Sequence, residues 1–506
     1  MSKKIYIGGR KKTVIVIGGG TAGLTIASQL QKFFKVIVIE KNGLNEHPFF
    51  IFKIPLLGGL LFKNSKYISK VYFESLGRKI PFFESNLLGG ASVINGCVHA
   101  FGSKIIWGSI LKPFNSNYNE ALESFYKLFS LNKNENKKIN LVKASQNIID
   151  NAFINSLNNQ EIPLGDMNFS DKEICGPILI TSGKYFRSSV MSFIKNNLFK
   201  IYSGEKVDKL LLDDSGQIIG VKTNLQTINS DYVILSSGVI GTCELLLKSK
   251  FETHSEKNNY FKNISIGKGV IDHPNLRVKV LATRKFDSLN ELSHSGYKKL
   301  LIMFKHFVGK STLLKSPGAT SAAYLDLDHD GIIDTKIQLL QFTESGRLGS
   351  DGEKNLFDKQ PGFSISITLT NPKSVGAIMI KEGVCNVDPK YLSSKKDIDL
   401  LNKSLKYCLK LLRSKPLSDY VLKVLDEDKI ENHTDDYIIN NIFSGYHLIG
   451  GSSEAIDANF EVKNIKKLYI CDASVFKAHV ASNTHAPVVV LGDIFSKKFI
   501  SNNFDG

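Results

Sequence analysis

"VIVIGGGTAGLTIASQL", residues 14–30, puts three glycines between an apolar, β-branched run and a run of helix formers. The run before the glycines is continuously apolar, as a strand buried on both faces requires. "TAGLTIASQLQKFF" then reads as a helix and "KVIVIEKN" as a second buried strand. Together they predict one βαβ unit with a right-handed crossover. Gly18, Gly20 and Gly23 fit G-x-G-x-x-G. In that pattern the first glycine makes the tight turn, the second lets a pyrophosphate approach the backbone, and the third lets helix pack on strand. Thr21 and Ala22 open the helix, whose free N–H groups and partial positive charge suit phosphate. Glu40 closes the second strand, 20 residues after Gly20, where a carboxylate would accept hydrogen bonds from both ribose hydroxyls. A tight turn alone leaves Glu40 unexplained, so the pattern predicts a dinucleotide. Glu40 disfavours NADP; the fingerprint does not separate FAD from NAD.

The remaining composition narrows the class. The chain has 506 residues, 42% of them hydrophobic, enough for two or three domains. The net charge of +17 comes from scattered lysines with no basic arm, so no nucleic-acid partner is expected. Six cysteines without C-x-x-C suggest neither zinc nor a disulfide framework and point to a reducing, cytoplasmic setting. "FFIFKIPLLGGLL", residues 49–61, is too short and too interrupted to span a bilayer; we read it as a core or lid segment and do not favour membrane contact.

Along the chain, "KVDKLLL", "IIGVKT" and "QTINS" predict an antiparallel meander from Lys206, followed by "DYVILSSGVIG", a buried strand running to Gly238. Residues 270–380 read mostly as strands, residues 395–428 as helix, "KKLYICDAS" as another buried strand, and "HAPVVVLGDIFSKKF" as a closing helix. Nucleotide-type elements at both ends and in the middle imply a discontinuous nucleotide domain with a second domain inserted.

"NLLGGASVINGCVHAFGS" (86–103), "YHLIGGSS" (446–453) and "LYICDASVFKAHVASNTHAPVVVLGD" (468–493) together resemble the glucose–methanol–choline (GMC) oxidoreductases, FAD enzymes that oxidise alcohols. "SIGKGVIDHPN", "VILSSGVIGTCELLLKS", "LTNPKSVGAIMI" and "NVDPKYLSSKKD" agree, in family order, from about residue 13 to 500. The departures are Ser85-Asn86 for Gly-Arg, Ala91 for Ser, Val375 for Arg, and Lys477 for Pro. The Gly-Thr and Met-Gly pairs usual after the active-site histidine are also missing. The resemblance implies an α/β fold, α+β overall: a Rossmann-like FAD-binding domain with an inserted substrate domain of sheet and helices. Its expected parts are FAD-binding segments at 13–110, 201–280 and 441–502, a helical linker and cap at 111–200, and a substrate domain at 281–440.

The resemblance also assigns residues. His447 takes the active-site position above the flavin, and a histidine suits the base because its ordinary pKa near 6.5 needs little tuning. Asn483, four residues before Pro487, takes the second polar position, able to orient an alcohol oxygen but not to accept its proton. His485 is the rival partner. The helix from Thr484 should point its N-terminus at the flavin. Gly89, Gly90, Ser92, Asn95 and Gly96 should run along the flavin with Cys97 and Val98 near its ring. Val207 should meet the adenine, and Asp472 with Ala473 the ribityl–phosphate part. Ile94 stands where some relatives carry a tethering histidine, so FAD should be non-covalent. Asp272-His273-Pro274 is read as conformational, and "DLDHDGIIDTKI" from Asp326 as a polar hairpin turn without a metal, since Ile337 stands where an EF-hand needs Glu. The expected activity is oxidation of a small-molecule alcohol, with oxygen, a quinone or a carrier protein as acceptor. A lyase or photoenzyme of the same fold, and a flavin-binding protein that has lost catalysis, stay open as alternatives.

Overall fold

The computed structural model describes residues 10–504 apart from 44–49, 132–134, 137, 196, 253–259, 284–285, 287, 311 and 345–356. The opening unit forms as its sequence predicts. Strand Thr13–Ile17 is wholly buried, helix Thr21–Leu30 follows the glycines, and strand Lys35–Glu40 runs parallel to the first with Val16 opposite Val38. Strands Lys200–Ser203, Tyr232–Leu235 and Leu468–Ile470 complete a five-stranded sheet in which every pairing is parallel. Its order (200–203, 35–40, 13–17, 232–235, 468–470) unites segments far apart in the chain. Helices cover such a sheet, which is why its central strands read as unbroken apolar runs. The closing helix His485–Asn503 lies along Thr21–Leu30.

The meander appears as strands Val207–Leu212, Ile218–Thr223 and Thr227–Asn229. The strand before Gly238 is shorter than its apolar run. It stops at Leu235, and Gly238, at φ +78°, instead opens helix Gly238–Glu252.

"RVKVLATR", "KIQLLQF" and "FSISITLT" lie in a seven-stranded antiparallel sheet as Pro274–Ala282, Thr335–Leu340 and Gly362–Leu369. The block is not all strand. Helices Leu289–His294 and Gly296–Phe307 interrupt it, each capped by a serine, Ser288 and Ser295, that accepts a backbone N–H. Residues 395–428 are not all helix either. Helix Lys395–Leu412 ends before Pro416, which cannot continue it, and Val421–Val424 joins the sheet edge.

The acidic turn is a hairpin between Ala319–Leu325 and Thr335–Leu340, where the Lys396 ammonium lies 2.7 Å from Asp328 and 3.1 Å from Asp330. The described part of the 49–61 segment forms two 3₁₀ turns, Phe50–Lys53 and Leu57–Lys63, burying Ile54 and Leu61 and exposing Phe50 and Leu60. Among the described residues no helix is long and apolar enough to cross a membrane.

This architecture creates the site. The carboxyl ends of the parallel strands carry the glycine turn, Glu40, Gly238 and Asp472, the edge where open α/β sheets bind ligands. Strands 274–282 and 335–340 of the larger sheet bring His273 and Lys336 towards His447 and Asn483.

Candidate active site

The glycines do three different jobs. Gly18, at φ +106°, turns strand into helix. At Gly23 a Cβ would run into the Gly18 carbonyl oxygen, so glycine is needed for helix to meet turn. Gly20 is needed for neither reason. Its φ of −87° and ψ of −161° are open to any L-residue, and a Cβ there meets no protein atom within 4 Å. Its backbone instead faces open space, as the approach of a pyrophosphate in this glycine pattern requires. A second glycine loop packs over the first: Gly89 donates its N–H to Gly19 O at 2.8 Å, and a Cβ at Gly90 would lie 2.9 Å from Gly20 Cα. Ser92 braces that loop by donating to Gly89 O at 2.7 Å. Thr21 and Ala22 begin the helix beside it. The fold thus gathers both glycine blocks into one cradle that fits a dinucleotide.

Glu40 is buried at the rim. Its Oε2 accepts from Gly19 N at 2.8 Å, and its Oε1 accepts from the backbone and side-chain nitrogens of Asn42 at 3.0 Å. The carboxylate therefore braces the glycine loop, a role the sequence did not show, while Oε2 keeps a lone pair for a ribose hydroxyl. Val207 starts its strand two residues after Glu205, whose N–H donates to Glu40 O at 3.1 Å, so both lie at this end of the cradle. Glu40→Ala should weaken dinucleotide binding by about 1.5–3 kcal/mol, roughly tenfold to a hundredfold, in a titration of apoprotein.

Asp472 has protein partners of its own. Its Oδ2 accepts from Gly238 N at 3.0 Å and Thr242 Oγ1 at 2.6 Å, and its Oδ1 from Ser474 N at 2.8 Å. The carboxylate is committed to tying the last strand to helix Gly238–Glu252, with Ala473 in the following 3₁₀ turn. Asn95 Oδ1 accepts from Cys97 N at 3.1 Å, just after Gly96. Cys97 is buried at φ +55°, and Val98 pairs with Ile180. Ile94 packs in an apolar cluster with Leu61, Ile68 and Phe83. The His99 ring lies 5.6 Å from that of Phe125 and 4.9 Å from that of Phe129.

The two polar residues assigned by resemblance meet: Asn483 Nδ2 is 2.9 Å from His447 Nε2. The chain extends in both directions. Lys336 Nζ is 3.2 Å from Asn483 Oδ1, His447 Nδ1 is 3.0 Å from His273 Nδ1, and His273 Nε2 is 3.2 Å from Thr370 O. Donor chemistry fixes its direction, because an ammonium and an amide NH₂ only donate. Lys336 donates to Asn483 Oδ1, and Asn483 Nδ2 donates to His447 Nε2. His447 must then carry its proton on Nδ1 and donate it to His273, which donates from Nε2 to the Thr370 carbonyl. One set of tautomers satisfies every link and leaves His447 neutral, with its Nε2 lone pair facing Asn483.

Asp272 positions that base. Its Oδ1 accepts from His447 N at 2.8 Å, and its Oδ2 accepts from Ser444 Oγ at 2.6 Å and from the Tyr391 hydroxyl. Burial pushes the Asp272 carboxyl up against these donors. Tyr446, between Ser444 and His447, is held at φ +61°. Burial, reinforced by the Lys336 charge, pushes His447 down to about 3, far from its ordinary value. His485 stands outside the chain. It opens the closing helix after Thr484, is pushed down to about 4 by burial, and hydrogen-bonds neither His447 nor Asn483.

Two members of the cluster were not assigned from sequence. His273, expected to be conformational, accepts a hydrogen bond from His447 Nδ1; its ring also lies against that of His479, centroids 3.6 Å apart. Lys336 carried one signal, a lone cation opening the apolar strand "TKIQLL".

Residues 372–492, which include His447 and Asn483, match the model of the GMC oxidoreductase C-terminal region. An alcohol dehydrogenase [acceptor] of Pseudomonas putida is 22% identical over 95% of this chain and 94% of its own. An oxygen-dependent choline dehydrogenase of Vibrio vulnificus is 23% identical over 95% and 92%. Among solved structures, a formate oxidase of Aspergillus oryzae superposes with a TM-score of 0.84 at 17% identity, covering 98% of this chain and 100% of that one. The chain shares the fold of these structures and aligns with these relatives from end to end: it is similar to the GMC oxidoreductases, whose model matches residues 372–492.

Proposed function

We propose that this protein binds FAD without a covalent bond and oxidises the CH–OH group of a small-molecule alcohol. The observation that carries this is the 2.9 Å contact between His447 Nε2 and Asn483 Nδ2, which the donor chemistry of the chain assigns to a neutral His447. FAD, when bound, supplies the acceptor for the hydride. The protein does the rest. Gly18, Gly20, Gly23, Gly89 and Gly90 with Glu40 hold the dinucleotide. The Asn483 amide orients the hydroxyl, His447 Nε2 takes its proton, and His273 holds the far side of the His447 ring so that Nε2 stays the basic nitrogen. Relatives named for alcohol and choline support a CH–OH donor. Their names also differ in the acceptor, so oxygen, a quinone and a carrier protein are all candidates here. A cytoplasmic setting is part of this reading, supported by six free cysteines, five of them buried.

The test is anaerobic bleaching of the flavin by a panel of alcohols, sterols and sugars. A protein that stays colourless with FAD, or whose flavin no alcohol bleaches, does not have this function. Non-covalent binding is tested separately. Ile94 offers no nucleophile, and the His99 ring is taken up by Phe125 and Phe129. Acid precipitation should leave the flavin in the supernatant; a yellow pellet contradicts it.

A further inference from the structure

Lys336 is a buried cation with no anion among the described residues. It is 5% exposed, in the second position of strand Thr335–Leu340. Its ammonium has one hydrogen-bond acceptor, Asn483 Oδ1 at 3.2 Å, and lies over the Tyr324 ring, 5.6 Å from the centroid. Among the described residues no carboxylate pairs with it. Burial pushes Lys336 down to about 8 with no neighbouring acid to oppose the shift, and at neutral pH it still carries its proton. An ammonium removed from water and left unpaired is costly, and proteins keep such a charge where a ligand completes it.

Its position says where that ligand's charge would sit. Lys336 is bonded to the same amide that touches the base, and its charge is felt by both His447 and His273. An anion on Lys336 therefore lies next to the hydroxyl held by Asn483, not at the far end of a long substrate. We propose that the alcohol oxidised here is a short hydroxycarboxylate, with its carboxylate adjacent to the CH–OH carbon and paired with Lys336. Asp272, the acid that holds His447 in place, already accepts from Ser444, Tyr391 and the His447 backbone, so it is not left to take up a cationic substrate in Lys336's place.

This rests on the oxidoreductase reading, and the experiment separates the two. The FAD-loaded protein is reduced anaerobically with glycolate and lactate, and with their neutral counterparts ethylene glycol and 1,2-propanediol. Binding of 2-hydroxyisobutyrate, which keeps the hydroxyl and carboxylate but has no C–H to give up, is measured by calorimetry. In the wild type the second-order reduction constant should favour each acid over its diol by about 30-fold or more, the scale of a charge-assisted contact. Lys336→Met should bring that ratio close to one and abolish 2-hydroxyisobutyrate binding; Lys336→Arg should restore most of both. The ratio is the readout, so a general loss of rate does not imitate the result. Diols that match or exceed the acids in wild type overturn the proposal without any variant, as does a preference that survives in Lys336→Met. If neutral alcohols bleach the flavin while 2-hydroxyisobutyrate does not bind, the carboxylate site is wrong and the oxidoreductase stands. If 2-hydroxyisobutyrate binds through Lys336 but no alcohol of either charge bleaches the flavin, the anion site stands and the oxidoreductase reading falls.

Discussion

His447→Ala should slow flavin reduction by alcohol about 10²–10⁴-fold, roughly 3–5 kcal/mol of barrier, while the bound FAD keeps its spectrum. In the proposed function the dinucleotide is held by the glycine cradle and Glu40, none of which His447 touches among its hydrogen bonds. Asn483→Ala should do less harm, about 1–3 kcal/mol, since it removes an orienting group but not the base. That cost exceeds one neutral hydrogen bond because His447 Nε2 and Lys336 Nζ each lose a partner. The pH profile separates this mechanism from one built on an ordinary histidine. His447 is pushed down to about 3, so it is already in its neutral, basic form throughout the range above pH 5. Protonation would remove the base only as pH falls towards that value. The reduction rate should therefore show no step near pH 6.5. Stopped-flow reduction from pH 5 to 8 checks this. A clear rise centred on pH 6–7 that vanishes in His447→Ala would mean that bound substrate and flavin reverse the effect of burial. Near-normal reduction in His447→Ala with loss in His485→Ala would transfer the role to His485.

The sequence announced some of these features far more clearly than others, for physical reasons. The βαβ unit was legible because every constraint on it is local: continuous β-branched runs, a glycine spacing, an acid at the next strand's end. His447 and Asn483 were legible through family motifs, and their 2.9 Å contact joins segments 36 residues apart. Lys336 and His273 were not legible as parts of the site. They arrive on different strands of the antiparallel sheet, and no short pattern in a sequence records which face of a strand meets another domain. The depressed His447 pKa was illegible for the same reason, because burial and the Lys336 charge are both tertiary. Helices Leu289–His294 and Gly296–Phe307 did leave local marks, Ser288 and Ser295 at their caps, but the surrounding strand-like runs masked them. The carboxylate of Asp472 shows a subtler limit: the motif locates the residue, but only the fold shows that it accepts from Gly238, Thr242 and Ser474.

Gly20→Ala should give a folded protein that cannot hold FAD. The backbone conformation at Gly20 is open to alanine, and the added Cβ meets no protein atom within 4 Å. Alanine loses less entropy on folding, worth about 0.4–1 kcal/mol, but is a poorer residue than glycine to precede the first turn of a helix. These terms oppose each other, so apoprotein stability should stay within about 1 kcal/mol of wild type. Binding has no such compensation. The methyl group would stand where, in this reading, a pyrophosphate lies against the backbone, and overpacking of that kind costs about 2–3 kcal/mol, about 30- to 150-fold in affinity. Gly23→Ala provides the contrast, because its Cβ runs into the Gly18 carbonyl oxygen within the protein itself. That variant should lose apoprotein stability as well as FAD. Thermal melts of the two apoproteins, set beside FAD titrations, distinguish a glycine kept for the ligand from a glycine kept for the fold. A Gly20→Ala protein that purifies yellow with wild-type affinity would show that the pyrophosphate does not lie on this turn.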